Sequence, residues 1–83
     1  MNIDPDLCNA IRQVLANCGN RALLPSPLLT FVRPYIAVPH TLADVQQHLI
    51  HLESRGDVRR HANPDNPEIL SWSLTESGRM MVK

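Results

Sequence analysis

The sequence predicts an α+β fold: a bundle of three helices, then a two-stranded β-hairpin and a short C-terminal helix. A change of period carries this reading. Apolar residues recur at helical spacing as far as Gly56, and beyond it they alternate. Between the two alternating runs lies Ala62-Asn63-Pro64-Asp65-Asn66-Pro67, which is turn chemistry throughout. With 83 residues the chain can hold one core, so residues 1–83 read as one domain. A domain this small buries only about 60–65% of its unfolded surface, which predicts modest stability.

The first helix opens at Asp4-Pro5-Asp6, where Asp4 can cap, Pro5 suits the first helical position and Asp6 complements the helix dipole. Leu7, Ile11, Val14, Leu15 and Cys18 then form an apolar face, with Asn9, Arg12, Gln13 and Asn17 opposite. Gly19 closes the helix as a left-handed cap. Cys8 and Cys18 would lie about 15 Å apart along one helix. That is too far for a disulfide, so they read as reduced, partly buried thiols.

Arg21-Ala22-Leu23-Leu24 is a short link with room for one β-bridge. Ser26 and Pro27 read as the cap and first position of a second helix, with Leu28, Phe31, Val32, Tyr35 and Ile36 at helical spacing. Pro34 costs about 3 kcal/mol inside a helix, so this one ends near Arg33 or kinks there. The segment Ala37–His40 reads as non-helical. Thr41 starts the third helix, with Asp44 placed as in a capping box. Leu42, Val45, Leu49 and Leu52 mark its buried stripe, and Gly56 ends it. Residues 57–61 and 69–74 read as strands, Val58 and Trp72 sealing the underside of the helices. Thr75 caps a last helix running through Met80, Met81 and Val82.

Eight Lys and Arg balance eight Asp and Glu, so the formal charge is zero. Affinity for a polyanion would then depend on where the cations sit, not on their sum. No apolar run approaches the roughly 18 residues of a membrane span. The acidic stretch from Met1 to Asp6 lacks the basic and apolar segments of a signal peptide, so a cytoplasmic chain is expected. There is no glycine-rich phosphate loop, no carboxylate pair in an apolar setting and no nucleophile beside a base. We therefore expect no catalysis, no cofactor and no small-molecule ligand. His48 and His51 are one helical turn apart, with His40 or His61 as a third candidate, but nothing completes a metal-ligand spacing.

Two motifs resemble a known superfamily. Leu52-Glu53-Ser54-Arg55-Gly56-Asp57-Val58-Arg59-Arg60 is similar to the L-E-x-x-G-x-V-x-R passage from recognition helix to wing strand in winged helix-turn-helix regulators of the MarR and PadR type. Leu74-Thr75-Glu76-Ser77-Gly78-Arg79 resembles the L-T-x-x-G-R that follows the second wing strand in those proteins. The resemblance covers roughly residues 5–80. It implies a winged helix that regulates transcription by binding double-stranded DNA, as a homodimer on a palindrome. Gly78 in such a domain allows close packing or a bend. One departure is the link from Pro34 to His40, longer than the three or four residues of a tight helix-turn-helix.

On helix 41–55 the residues pointing away from the stripe are Ala43, Asp44, Gln47, His51 and Ser54. Gln47 is the best base reader, because its amide can bond adenine bidentately. His40 and Thr41 stand at the N-terminal end, usually aimed at base edges. Thr41, His48, His51 and Ser54 are placed to reach bases or phosphates. Asp44 repels phosphate unless its own helix cap occupies it. Arg55, Arg59, Arg60 and His61 form the concentrated positive patch and are read as a phosphate clamp, with Arg21 and Arg33 as additions. The candidate DNA-binding set is therefore His40, Thr41, Asp44, Gln47, His48, His51, Arg55, Arg59, Arg60 and His61. Protonated imidazoles should strengthen binding below about pH 6.5. Asp65 and Glu68 should keep the wing tip out of a minor groove. Met80 and Met81, with an exposed Cys8 or Ala10 on the first helix, are the expected dimer surfaces. The alternative is a winged helix used only for protein contact. Neutral charge, the acidic tip and an exposed Ile50 favour it.

Overall fold

The computed structural model describes residues 2–19 and 21–82; Met1, Asn20 and Lys83, and the part of the N-terminal reading that falls on Met1, lie outside the described residues. The order is α1 (Pro5–Asn17), α2 (Pro25–Val32), a 3-10 turn (Arg33–Tyr35), α3 (Leu42–Ser54), β1 (Val58–Ala62), β2 (Leu70–Leu74) and α4 (Glu76–Met80).

Local chemistry accounts for most boundaries. Asp4 caps α1 by accepting the Asp6 amide at 2.9 Å, and Gly19 leaves it at φ 67°. The start of α2 differs from expectation. It begins at Pro25 with Leu24 as an N-cap that makes no side-chain bond, and Ser26 lies inside the helix. Pro25 has no N–H to leave unsatisfied at the first position, which removes one reason for a polar cap. Pro34 acts as expected: the α-helix stops at Val32 and the chain tightens into the 3-10 turn. Thr41 and Asp44 form a reciprocal capping box on α3.

The three long helices pack on one another around Leu7, Ile11, Leu15, Leu28, Val32, Val45, Leu49 and Leu52, all fully buried. Leu42 departs from the expected stripe: it is 39% exposed, and His48, at 2%, fills the stripe instead. β1 and β2 pair antiparallel, with Val58 opposite Leu74 and Arg60 opposite Trp72. Leu23 adds a bridge on the other edge of β2, exchanging both backbone hydrogen bonds with Trp72 at 2.8 Å. Trp72 is thus held between two strands while its ring closes the core.

Both sequence motifs meet at one place. The backbone leaves α3 through Gly56 at φ 82°, a left-handed conformation that glycine adopts without steric cost. The Thr75 hydroxyl donates to the Gly56 carbonyl at 2.6 Å, and the Thr75 amide donates to the Asp57 carbonyl at 3.0 Å. Gly78 packs against that same carbonyl so closely that an added Cβ would stand 2.1 Å from the Asp57 oxygen. Asp57 itself is buried, its carboxylate accepting Arg12 of α1 at 3.0 Å. Arg12 lies on the expected polar side of α1, yet it is buried as well.

Gly78→Ala should therefore destabilise the fold by about 1–3 kcal/mol, because the clash is with backbone and cannot be relieved by a rotamer. Arg12→Ala should cost about 3–5 kcal/mol by stranding a buried carboxylate. Urea unfolding followed by circular dichroism reads both. A midpoint unchanged by Gly78→Ala would show that α4 does not need this close approach.

Candidate nucleic-acid interface

The outer face of α3 is set by what is buried behind it. Val45, His48, Leu49 and Leu52 point inward, so Ala43, Gln46, Gln47, Ile50 and Ser54 point outward, and all five are exposed. Thr41 is exposed too, but its hydroxyl accepts the Asp44 amide as the helix cap. His51 is half-buried. The side-chain amides of Gln46 and Gln47 make no hydrogen bond with any described residue.

His48 requires a correction. Its Nε2 accepts the Asp4 amide at 2.9 Å, so the ring proton sits on Nδ1, which donates to the Asp44 carbonyl at 2.6 Å. A buried ring with both nitrogens engaged cannot face a groove. It fastens the N-cap of α1 to the first turn of α3. His40 has a similar task. Its Nε2 lies 3.0 Å from the Asp4 carboxylate and its Nδ1 3.4 Å from that of Asp44. These carboxylates lie on opposite sides of the ring, which makes ion pairs and not a convergent metal site; among the described residues no three His, Cys, Asp or Glu side chains are grouped to hold a metal. Asp44 is occupied as the sequence required, accepting the Thr41 amide at 3.1 Å within its own cap. The sequence did not disclose this task for His40 and His48 because their partner, Asp4, is distant in sequence.

The positive patch is also less free than its sequence suggests. Arg60 makes a bidentate pair with Glu53, both contacts at 2.7 Å, and its guanidinium lies 5.3 Å from the Trp72 ring centroid. Arg55 reaches toward Asp57 at 3.7 Å while remaining 55% exposed in its side chain. Arg59 is exposed and makes no ion pair among the described residues. Because side chains alternate along a strand, Arg59 and His61 share one face of the hairpin while Arg60 is turned to the other, toward α3. The His61 ring lies 2.7 Å from the Ser73 hydroxyl on that outer face. Arg21 and Arg33 are exposed as well.

The remaining surfaces sort themselves by burial. Asn63 organises the wing turn by accepting the Asp65 and Asn66 amides, and Asp65 and Glu68 are exposed at its tip. Met80 is 83% exposed and Met81 is exposed with it, but Cys8 and Ala10 are buried in the core, which removes them from any dimer surface. Two surface features escaped the sequence reading. Phe31, on α2, and Tyr35, in the 3-10 turn, are each about half exposed near Cys18. A groove of about 390 Å³ runs between α3 and the hairpin, with Leu24, Ile50, Ile69 and Trp72 among its walls. Of these side chains the sequence reading marks only Ile50 as uncovered. No helix of the described residues is long and apolar enough to cross a membrane.

The ion pairs give the fold an acid limit. The Asp6 amide, and then His40, hold Asp4 below its ordinary 3.8. The Thr41 amide, with His40, does the same for Asp44. Arg60 holds Glu53 below its ordinary 4.5. Depressed carboxylates contribute stability that is present above their unfolded values and lost as pH falls through the folded ones. The urea midpoint should therefore hold from neutrality down to about pH 5 as far as these three groups decide it, then fall below about pH 4. The double variant Asp4→Asn, Asp44→Asn should show a shallower fall over that range. An equal fall in the variant would show that these caps do not set the acid limit.

No family model matches the chain, and no curated protein matches it. Solved structures do. The YusO protein of Bacillus subtilis superposes on 94% of this chain and 49% of its own, with a TM-score of 0.72 and 19% identity. The transcriptional regulator BldR of Sulfolobus solfataricus covers 90% of this chain and 48% of its own at 0.67 and 20% identity. FabT of Streptococcus pneumoniae, solved in complex with DNA, covers 96% of this chain and 50% of its own at 0.67 and 21% identity. The chain thus spans about half the length of these structures. At such identities the likeness speaks for architecture alone, and the architecture is the expected one: the chain has an α+β winged-helix fold.

Proposed function

We propose that the chain is a DNA-binding domain of a transcriptional regulator, with α3 lying in the major groove. The observation that carries this reading is the outer face of α3, exposed along its length and bearing two glutamine amides that have no hydrogen-bond partner among the described residues. It belongs to a fold whose solved examples include a regulator on DNA. Gln47 reads a base edge, with Thr41 and His51 at its flanks. Arg55, Arg59 and His61 neutralise phosphates beside the groove, and Arg21 and Arg33 extend that contact. His40, Asp44 and His48 act behind the interface by fixing where α3 begins. Arg60 acts as a brace between hairpin and helix through Glu53. The acidic wing tip stays clear of the backbone.

A homodimer on a palindrome follows from the same reading, with Met80 and Met81 the apolar surface offered to a second copy. A domain used only for protein contact is the competing reading, and the groove beside Ile50 is the observation that favours it.

Fluorescence anisotropy of the full chain on duplex DNA at two salt concentrations tests the proposal. Affinity should fall steeply with salt, each neutralised phosphate adding about 0.9 to the logarithmic slope. Arg59→Ala should reduce that slope by about one phosphate. Arg60→Ala should leave the slope nearly unchanged, since Glu53 already compensates that charge. Gln47→Ala should change sequence preference with little effect on slope. No binding at low salt would leave the protein-contact reading standing alone.

A further inference from the structure

The outer face of α3 has a chemical bias that the proposed function does not explain. From Leu42 to Ser54 the helix contains no Lys or Arg. Bidentate recognition of guanine in the major groove is carried mainly by those two residues, whereas adenine is bonded by Asn and Gln amides and the thymine methyl is met by apolar groups. The exposed face offers the second and third of these chemistries. Gln46 and Gln47 supply free amides. Between them and Ser54, one helical turn on, stands Ile50, 54% exposed in the middle of a face that is otherwise small or polar. Ile50 adds nothing to the core, which is closed behind it by Leu49 and Leu52, both fully buried.

We propose that α3 recognises adjacent A·T base pairs, with the Ile50 side chain packed on a thymine methyl group and the Gln47 amide bonded to adenine on the neighbouring pair. This rests on the DNA-binding reading above. The spacing suits it. Three residues advance about 4.5 Å along a helix axis, against about 3.4 Å between successive base pairs, so residues 47 and 50 address neighbouring steps when the helix follows the groove. The nearest cations that could compete for guanine are displaced from this face. Arg55 lies beyond the end of α3, Arg60 is bonded to Glu53, and Arg59 is on the far face of the hairpin.

The test begins with selection of bound sequences from randomised duplex DNA by the full chain. The selected site is then altered by replacing thymines one at a time with deoxyuridine, which removes the methyl group and nothing else. One thymine in each half-site should weaken wild-type binding by about fourfold, the value of one buried methyl. Ile50→Ala should bind more weakly than wild type and become indifferent to that replacement. Gln47→Ala should lose preference for adenine at the adjacent pair while keeping the thymine effect. A selected site contacted by α3 through G·C pairs would overturn the proposal alone, as would deoxyuridine tolerated throughout by the wild type. Absence of any salt-sensitive binding to DNA would bring down the underlying reading, and the proposal with it. If Ile50→Ala then altered self-association in sedimentation, the residue would belong to a protein contact.

Discussion

The turn from α3 into β1 holds the molecule together at Asp57, where backbone, charge and close packing act on a single residue. Its carbonyl accepts the Thr75 amide and lies against Gly78, and its carboxylate is bonded to Arg12 inside the protein. Three elements are thereby tied to one point: α1 through Arg12, α4 through its cap Thr75 and Gly78, and β1, which starts at the next residue. A buried ion pair of this kind contributes little net energy compared with an apolar substitute, but breaking one side of it is costly. Its effect is to fix geometry. The direction in which the hairpin leaves α3 depends on it.

The zero net charge acquires a structural meaning once the cations are placed. Arg12 is internal and Arg60 is committed to Glu53, so both work for the fold. Arg55 is shared between Asp57 and solvent. Arg59, Arg21 and Arg33 are exposed without ion pairs among the described residues. Under the proposed DNA-binding reading, phosphate contact is then confined to where these cations gather, and sequence selection rests on the amide-bearing outer face of α3.

The long connection between α2 and α3 shows how a loop can be specified without a tight turn. Residues 33–41 include two prolines and end in a segment with no regular structure. Left alone, such a link would permit many orientations of α3. His40 and His48 remove that freedom from the far side by joining the first turn of α3 to the N-cap of α1. The start of α3 is therefore fixed by side-chain contacts to α1, through His40 at the end of the link and His48 in the helix, and not by the course of the link alone.

The sequence by itself determined the elements and their order, because helix period, strand alternation, proline, glycine and capping residues act over a few positions and are written locally. Gly56, Thr75 and Asp44 declared their roles in this way, and so did the outward face carrying Gln47. What the tertiary structure alone decided was which polar groups remain available. Arg12 looked like a surface residue on a helical wheel, His48 like a group within reach of bases or phosphates, and Arg60 like a free cation beside Arg59. Their partners Asp4, Asp57 and Glu53 come from other elements, and no local pattern records such pairings. A side chain's periodicity tells which way it leaves its own helix or strand; whether anything waits there depends on how the other elements pack.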